Sequence, residues 1–325
     1  MMDEFSFIET IKQSTYKQST LIKGIGDDGA VFRNRSSDIV TCVDTFVESV
    51  HFSSKTMSFF HVGYKCLAVN ISDLCAMGAT PTFYLVSIVI PKSVTNEELT
   101  ELYDGLHTIA SNFRMDLIGG DTVSGEQLII TVTAIGYVPA PYARYRSDAK
   151  VGDYIFVTGT LGDAQAGLEI LLHNLDVDHK EYFVTRHRMP KINVDFIKNL
   201  RTIKRMVLND ISDGLANELN EIAESSCKTL LIEDAKVPLH RYIKQFPKEK
   251  YEEWKYYAGE DFELVGTVAK KDWDTVVQCA EEHDITVTKI GEVIDDPREH
   301  GSVFMRKNNE LIRLDKKGYR HQIGK

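Results

Sequence analysis

Short runs of β-branched and apolar residues that end in polar clusters recur along the first half of the chain. Four of them have the length and composition of strands: Ile39–Asp44, Phe83–Ile90, Asp116–Ile118 and Leu128–Val138. Between the first two, residues 58–77 carry apolar side chains at helical spacing, and Gly78 supplies a stop. Thr95-Asn-Glu-Glu98 has the form of a capping box and predicts a second helix that runs to about Phe113.

A turn-rich segment separates this half from the second. Pro139-Ala-Pro141 breaks the last strand, and residues 142–152 are polar, which indicates a domain boundary near residues 139–150. We therefore predict an N-terminal domain of residues 1–140 and a C-terminal domain of residues 141–325.

The second half mixes predicted strands and helices. The strands are Tyr154–Thr158, Met206–Leu208, Thr229–Glu233, Phe262–Val268, Thr286–Gly291 and Ser302–Met305. The helices are Asp163–Leu172, Asp213–Ser225 and Lys271–His283. Residues 236–256 are poorly patterned and are predicted as loop and short helix. The fold class expected from this order is α/β in two domains.

Composition excludes several classes of protein. The chain has 325 residues, and hydrophobic residues make up 43%, well above a disordered chain. The 38 basic residues against 48 acidic ones give a net charge of −10, and no basic cluster occurs. This argues against a nucleic-acid partner but allows a single nucleotide.

The location of the protein is predicted from its N-terminus, its apolar runs and its cysteines. The start MMDEFSFIE is acidic, unlike a signal peptide, and the longest apolar runs are strand-sized and too short for a membrane. The five cysteines form no CxxC pair, which is typical of reduced thiols. We expect a soluble, cytoplasmic protein.

One glycine-rich stretch fits the dinucleotide fingerprint GxGxxG. It is Gly24-Ile-Gly26-Asp27-Asp28-Gly29. That fingerprint needs a strand before it and a helix after it, whereas here a polar stretch precedes and Ala30–Phe32 follows as a strand. The context therefore argues against a Rossmann site.

Aspartates recur at the ends of predicted elements and once inside a helix. They are Asp27, Asp28, Asp44, Asp73, Asp121, Asp210 and Asp213. Turn aspartates often cap helices, and capping explains Asp213 equally well. Asp73 differs, because a carboxylate on a largely buried helix is costly unless it is paired or binds a cation. Asn70 lies one turn earlier on nearly the same face.

Converging carboxylates repel one another unless hard cations neutralise them, and oxygen ligands favour Mg²⁺, Mn²⁺ or Ca²⁺ over zinc. An acidic site of this kind suits a polyphosphate such as ATP, with metal ions bridging its oxygens to the aspartates. Phosphoryl transfer is therefore the favoured reaction class. The GxxxxGK[ST] motif and the protein-kinase HRD and DFG motifs are absent from the sequence, which excludes those two ATP-binding architectures.

Six sequence blocks, taken together in their order and spacing, carry a family resemblance. The blocks are Gly24–Asp28, Val43–Phe52, Lys65–Ala79, Gly119–Thr122, Asp210–Leu215 and Gly259–Leu264. They closely resemble the thiamine-monophosphate kinases, and the resemblance covers nearly the whole chain. That family belongs to a superfamily with aminoimidazole ribonucleotide synthetase, selenophosphate synthetase and a hydrogenase maturation protein.

The resemblance implies an architecture and a reaction. The N-terminal domain would form a dimeric β-barrel with its symmetry mate, and the C-terminal α/β domain would pack on it. The reaction would be Mg²⁺-dependent transfer of the γ-phosphoryl group of ATP to thiamine monophosphate, giving thiamine diphosphate and ADP. A homodimer is the expected assembly.

The resemblance also assigns roles to individual residues. The seven aspartates named above would hold several Mg²⁺ ions. ATP would contact Tyr103, Gly120, Asp121, Arg146 and Ser212, and thiamine monophosphate would contact His51, Glu260 and Tyr319. No catalytic base is expected, because the acceptor phosphate is already ionised near pH 7. The metal cluster and Arg146 would stabilise charge instead.

Alternatives remain for single residues and for the whole chain. From their surroundings alone, Arg146 also fits a surface ion pair, His51 a core histidine and Tyr319 a cover for a core edge. Within the superfamily, the first cysteine, Cys42, is too late for selenophosphate synthetase, and the last, Cys279, is too early for the hydrogenase maturation protein. An enzyme like aminoimidazole ribonucleotide synthetase and a non-catalytic nucleotide-binding module are the remaining rivals.

Overall fold

The computed structural model describes residues 2–3, 21–23, 27, 30–34, 37–296, 299–317 and 322–323. Its strands are β1 (Met2–Asp3), β2 (Leu21–Lys23), β3 (Ala30–Asn34), β4 (Ser37–Val47), β5 (Thr80–Pro91), β6 (Asp116–Gly125), β7 (Ile129–Pro139), β8 (Tyr154–Thr158), β9 (Met206–Asp210), β10 (Thr229–Glu233), β11 (Leu264–Val268), β12 (Val287–Ile294), β13 (Val303–Lys307), β14 (Glu310–Arg313) and β15 (Gln322–Ile323).

The α-helices of the same residues are α1 (Phe59–Ala76), α2 (Asn96–Phe113), α3 (Asp163–His173), α4 (Lys180–Arg188), α5 (Val194–Asn199), α6 (Leu215–Ser226), α7 (Lys248–Tyr257) and α8 (Trp273–Glu282). Short 3₁₀ turns join several of them, including Arg146–Asp148 ahead of β8. Within the described part of the chain, none of the helices combines the length and apolar character needed to cross a bilayer.

Two sheets organise the molecule, and β1 pairs separately with β15. The first sheet has six strands in the order β2-β3-β4-β7-β5-β6, antiparallel except for the parallel pair β5 and β6. The second has seven strands in the order β14-β13-β10-β12-β8-β11-β9. The predicted two-domain α/β architecture is thus observed as a mixed α/β fold. Among the described strands the first sheet stays open, with β2 and β6 as its edges, so the predicted barrel is not formed by one chain.

Helix α1 lies between the two sheets, in contact with β4 and β7 on one side and β9 on the other. Most of its side chains are buried, as expected for a helix that is apolar on nearly every face. The helix ends where Gly78 takes a left-handed φ of +75°, which confirms the predicted stop.

Helix α2 covers α1 from the outside. Its first turn has the predicted capping box, because the Thr95 hydroxyl accepts the Glu98 N–H and the Glu98 carboxylate accepts the Thr95 N–H. The two helices cross at glycines: a Cβ on Gly63 would lie 1.8 Å from the Leu102 carbonyl oxygen. The backbones are therefore in direct contact at this crossing.

Strand β6 differs from its prediction. It continues past Ile118 to Gly125, so Asp121 lies inside a strand and not at the end of one. The Gly119-Gly120 pair resembles a turn in sequence. In the structure, glycine allows β6 to lie close to β5, since a Cβ on Gly120 would lie 1.9 Å from the Val86 carbonyl oxygen. Helices α4 and α5 and strand β14 were absent from the prediction as well.

Candidate active site

Three carboxylates meet where β4, α1 and β9 come together. The two-residue period of β4 places Asp44 on the same side as Val40 and Phe46, which faces α1. Asp44 and Asp73 of α1 are hydrogen-bonded to each other through their side chains. Asp210 ends β9 and accepts a hydrogen bond from the Ser72 hydroxyl at 2.7 Å. Residues far apart in sequence thus form one acidic cluster, Asp44, Asp73 and Asp210.

The cluster holds more negative charge than its surroundings compensate. Burial and the nearby Asp210 raise the pKa of Asp44 to about 6. Burial likewise raises the pKa of Asp210, against the opposing effects of the Ser72 hydrogen bond and Arg146. At neutral pH these groups therefore favour binding of a proton or a cation.

The donor set fits a hard cation. In the part of the chain that the structure describes, no group of three or more His, Cys, Asp or Glu side chains is placed so that it could hold a metal ion by itself. The acidic cluster offers only oxygen atoms, and burial together with the charge of Asp210 raises the pKa of Asp44. Carboxylate oxygens are the ligands of Mg²⁺ and Ca²⁺, which complete their coordination with water and substrate oxygens.

Arg146 lies beside the cluster and is held from several sides. Its Nη1 is 2.9 Å from Glu221 Oε2 on α6, and its Nη2 donates to Asn209 Oδ1 at 2.9 Å. Its backbone N–H donates to Asp27 Oδ1 at 3.0 Å, which brings Asp27 to the same region. With 13% of its side chain exposed, Arg146 is not the surface ion-pair partner that the sequence alone allows.

The loop after β9 presents Ser212 and Asp213. Helix α6 begins at Leu215 with Gly214 as its N-cap, so capping does not explain Asp213. The backbone N–H of Asp213 instead donates to Oε1 of Glu218, one turn into α6, at 3.2 Å. Burial, followed by Glu221 and Asp213, raises the pKa of Glu218 well above its usual range. Glu218 and Glu221 have no predicted role, but Glu218 accepts the Asp213 N–H and Glu221 forms an ion pair with Arg146.

A cleft of about 700 Å³ opens beside the cluster. Its polar lining includes Asp44, Ser212, Asp213, His51 and Glu260. Its apolar walls are formed by Phe46, Phe52, Val69, Leu168, Leu172 and Phe262. A pocket lined by both carboxylates and apolar side chains suits a ligand with a phosphate and an aromatic ring system.

His51 and Glu260 lie in the cleft as predicted, each with a defined partner. His51 Nδ1 accepts the Val47 N–H at 3.0 Å, which puts the ring proton on Nε2, and its ring stacks on Phe46. Glu260 Oε2 is 3.0 Å from Nζ of Lys65, a lysine with no exposed side-chain surface. His187 Nδ1 is 3.6 Å from the same oxygen.

Three predicted residues, Tyr103, Gly120 and Asp121, do not line the cleft in this chain. In the first sheet Asp44 pairs with Val132. Val132 pairs in turn with Val86, and Val86 with Gly120. That is three strand spacings, about 14 Å, so Gly120 and the neighbouring Asp121 are remote from the acidic cluster. Tyr103 is on α2, near Tyr84, and does not line the cleft. Asp28 and Tyr319 lie outside the described residues.

Two residues next to Glu260, Lys65 and His187, carry no predicted role, and only Lys65 has a signal in the sequence. Lys65 sits in the apolar run of α1, where a charge must be buried and therefore needs a partner. His187 lies in the polar sequence Arg-His-Arg, which gives no sign that the ring is 2% exposed.

Replacement of His187 by glutamine is expected to reduce the loss of stability at low pH. Burial, with Lys65 and Arg188 nearby, lowers the pKa of His187 to about 2. The unfolded chain takes up this proton near pH 6.5, whereas the folded chain does not, so stability falls as the pH drops below that value. Between about pH 7.5 and pH 5 this histidine removes about 2 kcal/mol from the free energy of unfolding.

Urea unfolding of both proteins at these two pH values measures the effect. The fall in the free energy of unfolding should be about 2 kcal/mol smaller in His187→Gln than in the wild type. An equal fall in the two proteins would show that the folded state protonates His187 normally, with Glu260 compensating its charge.

Comparison with known proteins places this geometry in context. The chain matches the family described as AIR synthase related protein, N-terminal domain, over residues 26–138, and its C-terminal domain counterpart over residues 150–303. The thiamine-monophosphate kinase of Bacillus subtilis (strain 168) is 42% identical and covers 98% of this chain and 99% of its own length.

Solved structures agree with the sequence relatives. The structure of AaThiL complexed with AMPPCP and TMP has a TM-score of 0.83 and 29% identity, covering 98% of this chain and 97% of that one. Thiamine-monophosphate kinase from Stenotrophomonas maltophilia K279a has a TM-score of 0.78 and 31% identity, covering 95% and 98%.

Proposed function

Because the chain belongs to the AIR synthase related family and, within it, to the thiamine-monophosphate kinases, we propose that its cleft carries out their reaction. The γ-phosphoryl group of ATP passes to the phosphate of thiamine monophosphate, giving thiamine diphosphate and ADP. The comparisons confirm the family predicted from the six sequence blocks. The observation that carries the proposal is a cleft lined by Asp44 of the acidic cluster, by apolar side chains and by Glu260.

The chain's own residues bind and orient the two substrates. The acceptor is a phosphate oxygen that is already ionised near pH 7, so no side chain has to remove a proton. Ser212, which follows Asp210 in the loop after β9, lines the cleft and is assigned to ATP binding. Arg146 keeps a fixed positive charge beside the same cluster. Catalysis then rests on positioning and on neutralisation of charge.

Mg²⁺ is the proposed metal, and the aspartates are its proposed ligands. Asp44, Asp73 and Asp210 would hold it, with Asp27 and Asp213 from the adjoining loops. When bound, the metal neutralises the phosphate charge and polarises the phosphoryl group. The oxygen-only donor set and the raised pKa of Asp44 support this assignment. Asp28 stays a predicted ligand outside the described residues.

The acceptor end of the cleft is assigned to the rings of thiamine monophosphate. Phe46, Phe52 and Leu168 supply apolar walls for them, and His51 and Glu260 supply polar contacts. The relative AaThiL, complexed with AMPPCP and TMP, supports two ligands in one protein of this fold. Tyr319, as a further contact, stays a prediction.

A homodimer closed through β6 is the proposed assembly. Every residue of β6 up to Ser124 is exposed, including Leu117, Ile118 and Val123, which are 46%, 52% and 47% exposed. An open sheet edge with exposed apolar residues is a surface that another chain can cover. A second copy would also explain how Gly120 and Asp121 can act on ATP while remote from the cluster of their own chain.

Ile118→Lys is expected to convert the dimer to a monomer. Sedimentation of the wild type should give about twice the chain mass of 36.8 kDa, and sedimentation of the variant should give the single-chain mass. Leu311→Lys is the control, because Leu311 is 60% exposed on β14 of the other sheet. A wild-type mass equal to one chain would contradict the dimer.

The division at residue 140 and the cytoplasmic location remain proposals. The first sheet takes its strands from residues 21–139 and the second from residues 154–313, which supports a division between them. The described cysteines are all free thiols, which agrees with a reducing compartment.

The test of the reaction is product formation from ATP, Mg²⁺ and thiamine monophosphate, with thiamine as the control acceptor. Equal amounts of ADP and thiamine diphosphate, formed from the monophosphate alone, are the expected result. Binding of ATP without any product would contradict the proposal. It would favour a reaction like that of aminoimidazole ribonucleotide synthetase, or a module that binds nucleotide without turnover.

A further inference from the structure

The side chain of Lys65 is an uncommon group in a protein interior. It has no exposed surface, and it comes from α1, whose other inward residues are mainly apolar. Burial lowers its pKa, and the carboxylate of Glu260 opposes that effect. A buried ammonium is destabilising unless a carboxylate compensates it, and a methionine of similar length avoids this cost. Packing alone therefore does not explain a lysine at this position.

Glu260 is the ion-pair partner of Lys65 among the described residues, and it is not itself a core group. Its Oε2 lies 3.0 Å from Lys65 Nζ, while 34% of its side chain is exposed to the cleft. Both of the ion-pair contacts of Glu260 with the described residues use Oε2, so Oε1 is available to a ligand. The lysine thus holds one carboxylate oxygen from inside the protein, and the other faces the cleft.

The backbone of Glu260 is fixed as tightly as its side chain. Its φ of +67° is left-handed, which a residue with a Cβ adopts at a cost. Its N–H donates to the Ser212 carbonyl at 2.7 Å, and Gly259 packs so closely that a Cβ there would lie 2.2 Å from the same oxygen. The backbone contacts fix where the Glu260 side chain starts, and the ion pair with Lys65 holds one of its carboxylate oxygens.

His187 borders the pair without acting as a second cation. Its Nδ1 is 3.6 Å from Glu260 Oε2, too far for a good hydrogen bond, and its low pKa keeps it neutral. Among the described residues, the carboxylate is therefore ion-paired with one cation, Lys65, and the pair is close to neutral as a whole.

We propose that Lys65 is a positioning residue that fixes the Glu260 carboxylate to receive the ring end of the phosphate acceptor. The inference rests on the proposed function, since thiamine monophosphate carries a cationic thiazolium and an amino group that suit a carboxylate. Lys65 acts through Glu260 and touches neither ATP nor the reacting phosphates. Its loss affects acceptor binding more than turnover.

Steady-state kinetics of Lys65→Met test the inference. The KM for thiamine monophosphate should rise about tenfold, because the unpaired carboxylate turns toward water. The KM for ATP and the kcat at saturating acceptor should change by less than about twofold. The double variant Lys65→Met with Glu260→Gln should have the same acceptor KM as Glu260→Gln alone, since no carboxylate is left to orient.

Lys255→Met is the matched control. Lys255 is also buried, with 4% of its side chain exposed, and it pairs with Asp234 at 2.7 Å. It does not line the cleft, so its replacement should lower the melting temperature without changing the acceptor KM. If Lys65→Met does not give folded protein, Lys65→Gln replaces it, because the amide removes the positive charge and is one atom shorter but stays polar.

Two results overturn the inference, and they differ from failure of the proposed function. An unchanged acceptor KM in Lys65→Met, with normal turnover, excludes a positioning role and leaves the reaction intact. An equal rise of the acceptor KM with and without Glu260 shows that Lys65 does not act through this carboxylate. If the wild type makes no thiamine diphosphate, the proposed function fails and the inference falls with it.

Discussion

Asp44→Asn should lower the turnover number by roughly a hundredfold or more, with little loss of fold. Asp44 lies in the acidic cluster beside Asp73 and Asp210, and its pKa is raised to about 6 by burial and by Asp210. Asparagine keeps the shape but removes one of the charges that a cation needs. The kcat from thiamine diphosphate formation, measured at saturating ATP and Mg²⁺, gives the size of the effect.

The stability of the same variant separates a lost ligand from a lost fold. Because the folded state raises the pKa of Asp44, the ionised carboxylate disfavours folding at neutral pH in the absence of a cation. Asp44→Asn should therefore melt at the same temperature as the metal-free wild type or higher. Asp38→Asn is the control, since Asp38 is buried on the same strand but pairs with Arg33 at 2.9 Å. Turnover close to normal in Asp44→Asn would remove the basis of the metal assignment.

Gly63→Ala should lower the free energy of unfolding by about 3 kcal/mol and also impair activity. Its new Cβ would lie 1.8 Å from the Leu102 carbonyl oxygen, a backbone atom that cannot move unless α2 moves with it. Helix propensity alone predicts the opposite sign, a gain of about 1 kcal/mol, so the direction of the change is informative. Urea unfolding measures it.

Gly63→Ala is expected to lose activity because α1 carries two residues of the proposed site. The helix holds Asp73 at the acidic cluster and Lys65 at the acceptor end, so a shift of its axis disturbs both. We expect kcat to fall and the acceptor KM to rise together. Asn112→Ala on the exposed part of α2 is the control and should change neither. A wild-type unfolding curve for Gly63→Ala would mean that the helices separate more easily than their contact indicates.

Sequence patterns predicted the elements whose periodicity is strong and whose faces differ. Strand β4, with its alternating burial, and the capping box at Thr95 are examples. The prediction ends strand β6 at Ile118, before its observed end. Both faces of β6 are exposed in one chain, so buried and exposed positions do not alternate, and Gly119-Gly120 resembles a turn. Helix α4 is rich in charge and lacks a clear apolar stripe, although Phe183 and Val184 are buried.

The sequence names candidate residues of the site but not the residues that contact them. The family resemblance names Asp44, Asp73 and Asp210, which lie together in the structure, and their role stays a prediction. The resemblance does not indicate that the Ser72 hydroxyl donates to Asp210 across 138 positions of the chain, or that Glu218 accepts the Asp213 N–H. Such contacts depend on how the two sheets pack around α1, which no local pattern records.

Helix α1 also fixes a distance within the proposed site. Lys65 and Asp73 are separated by about 12 Å along its axis, because each residue of an α-helix advances about 1.5 Å. Under the proposed function, this separation would set the distance between the acceptor ring and the transferred phosphoryl group. We therefore expect acceptors with a longer or shorter arm between ring and phosphate to be poor substrates.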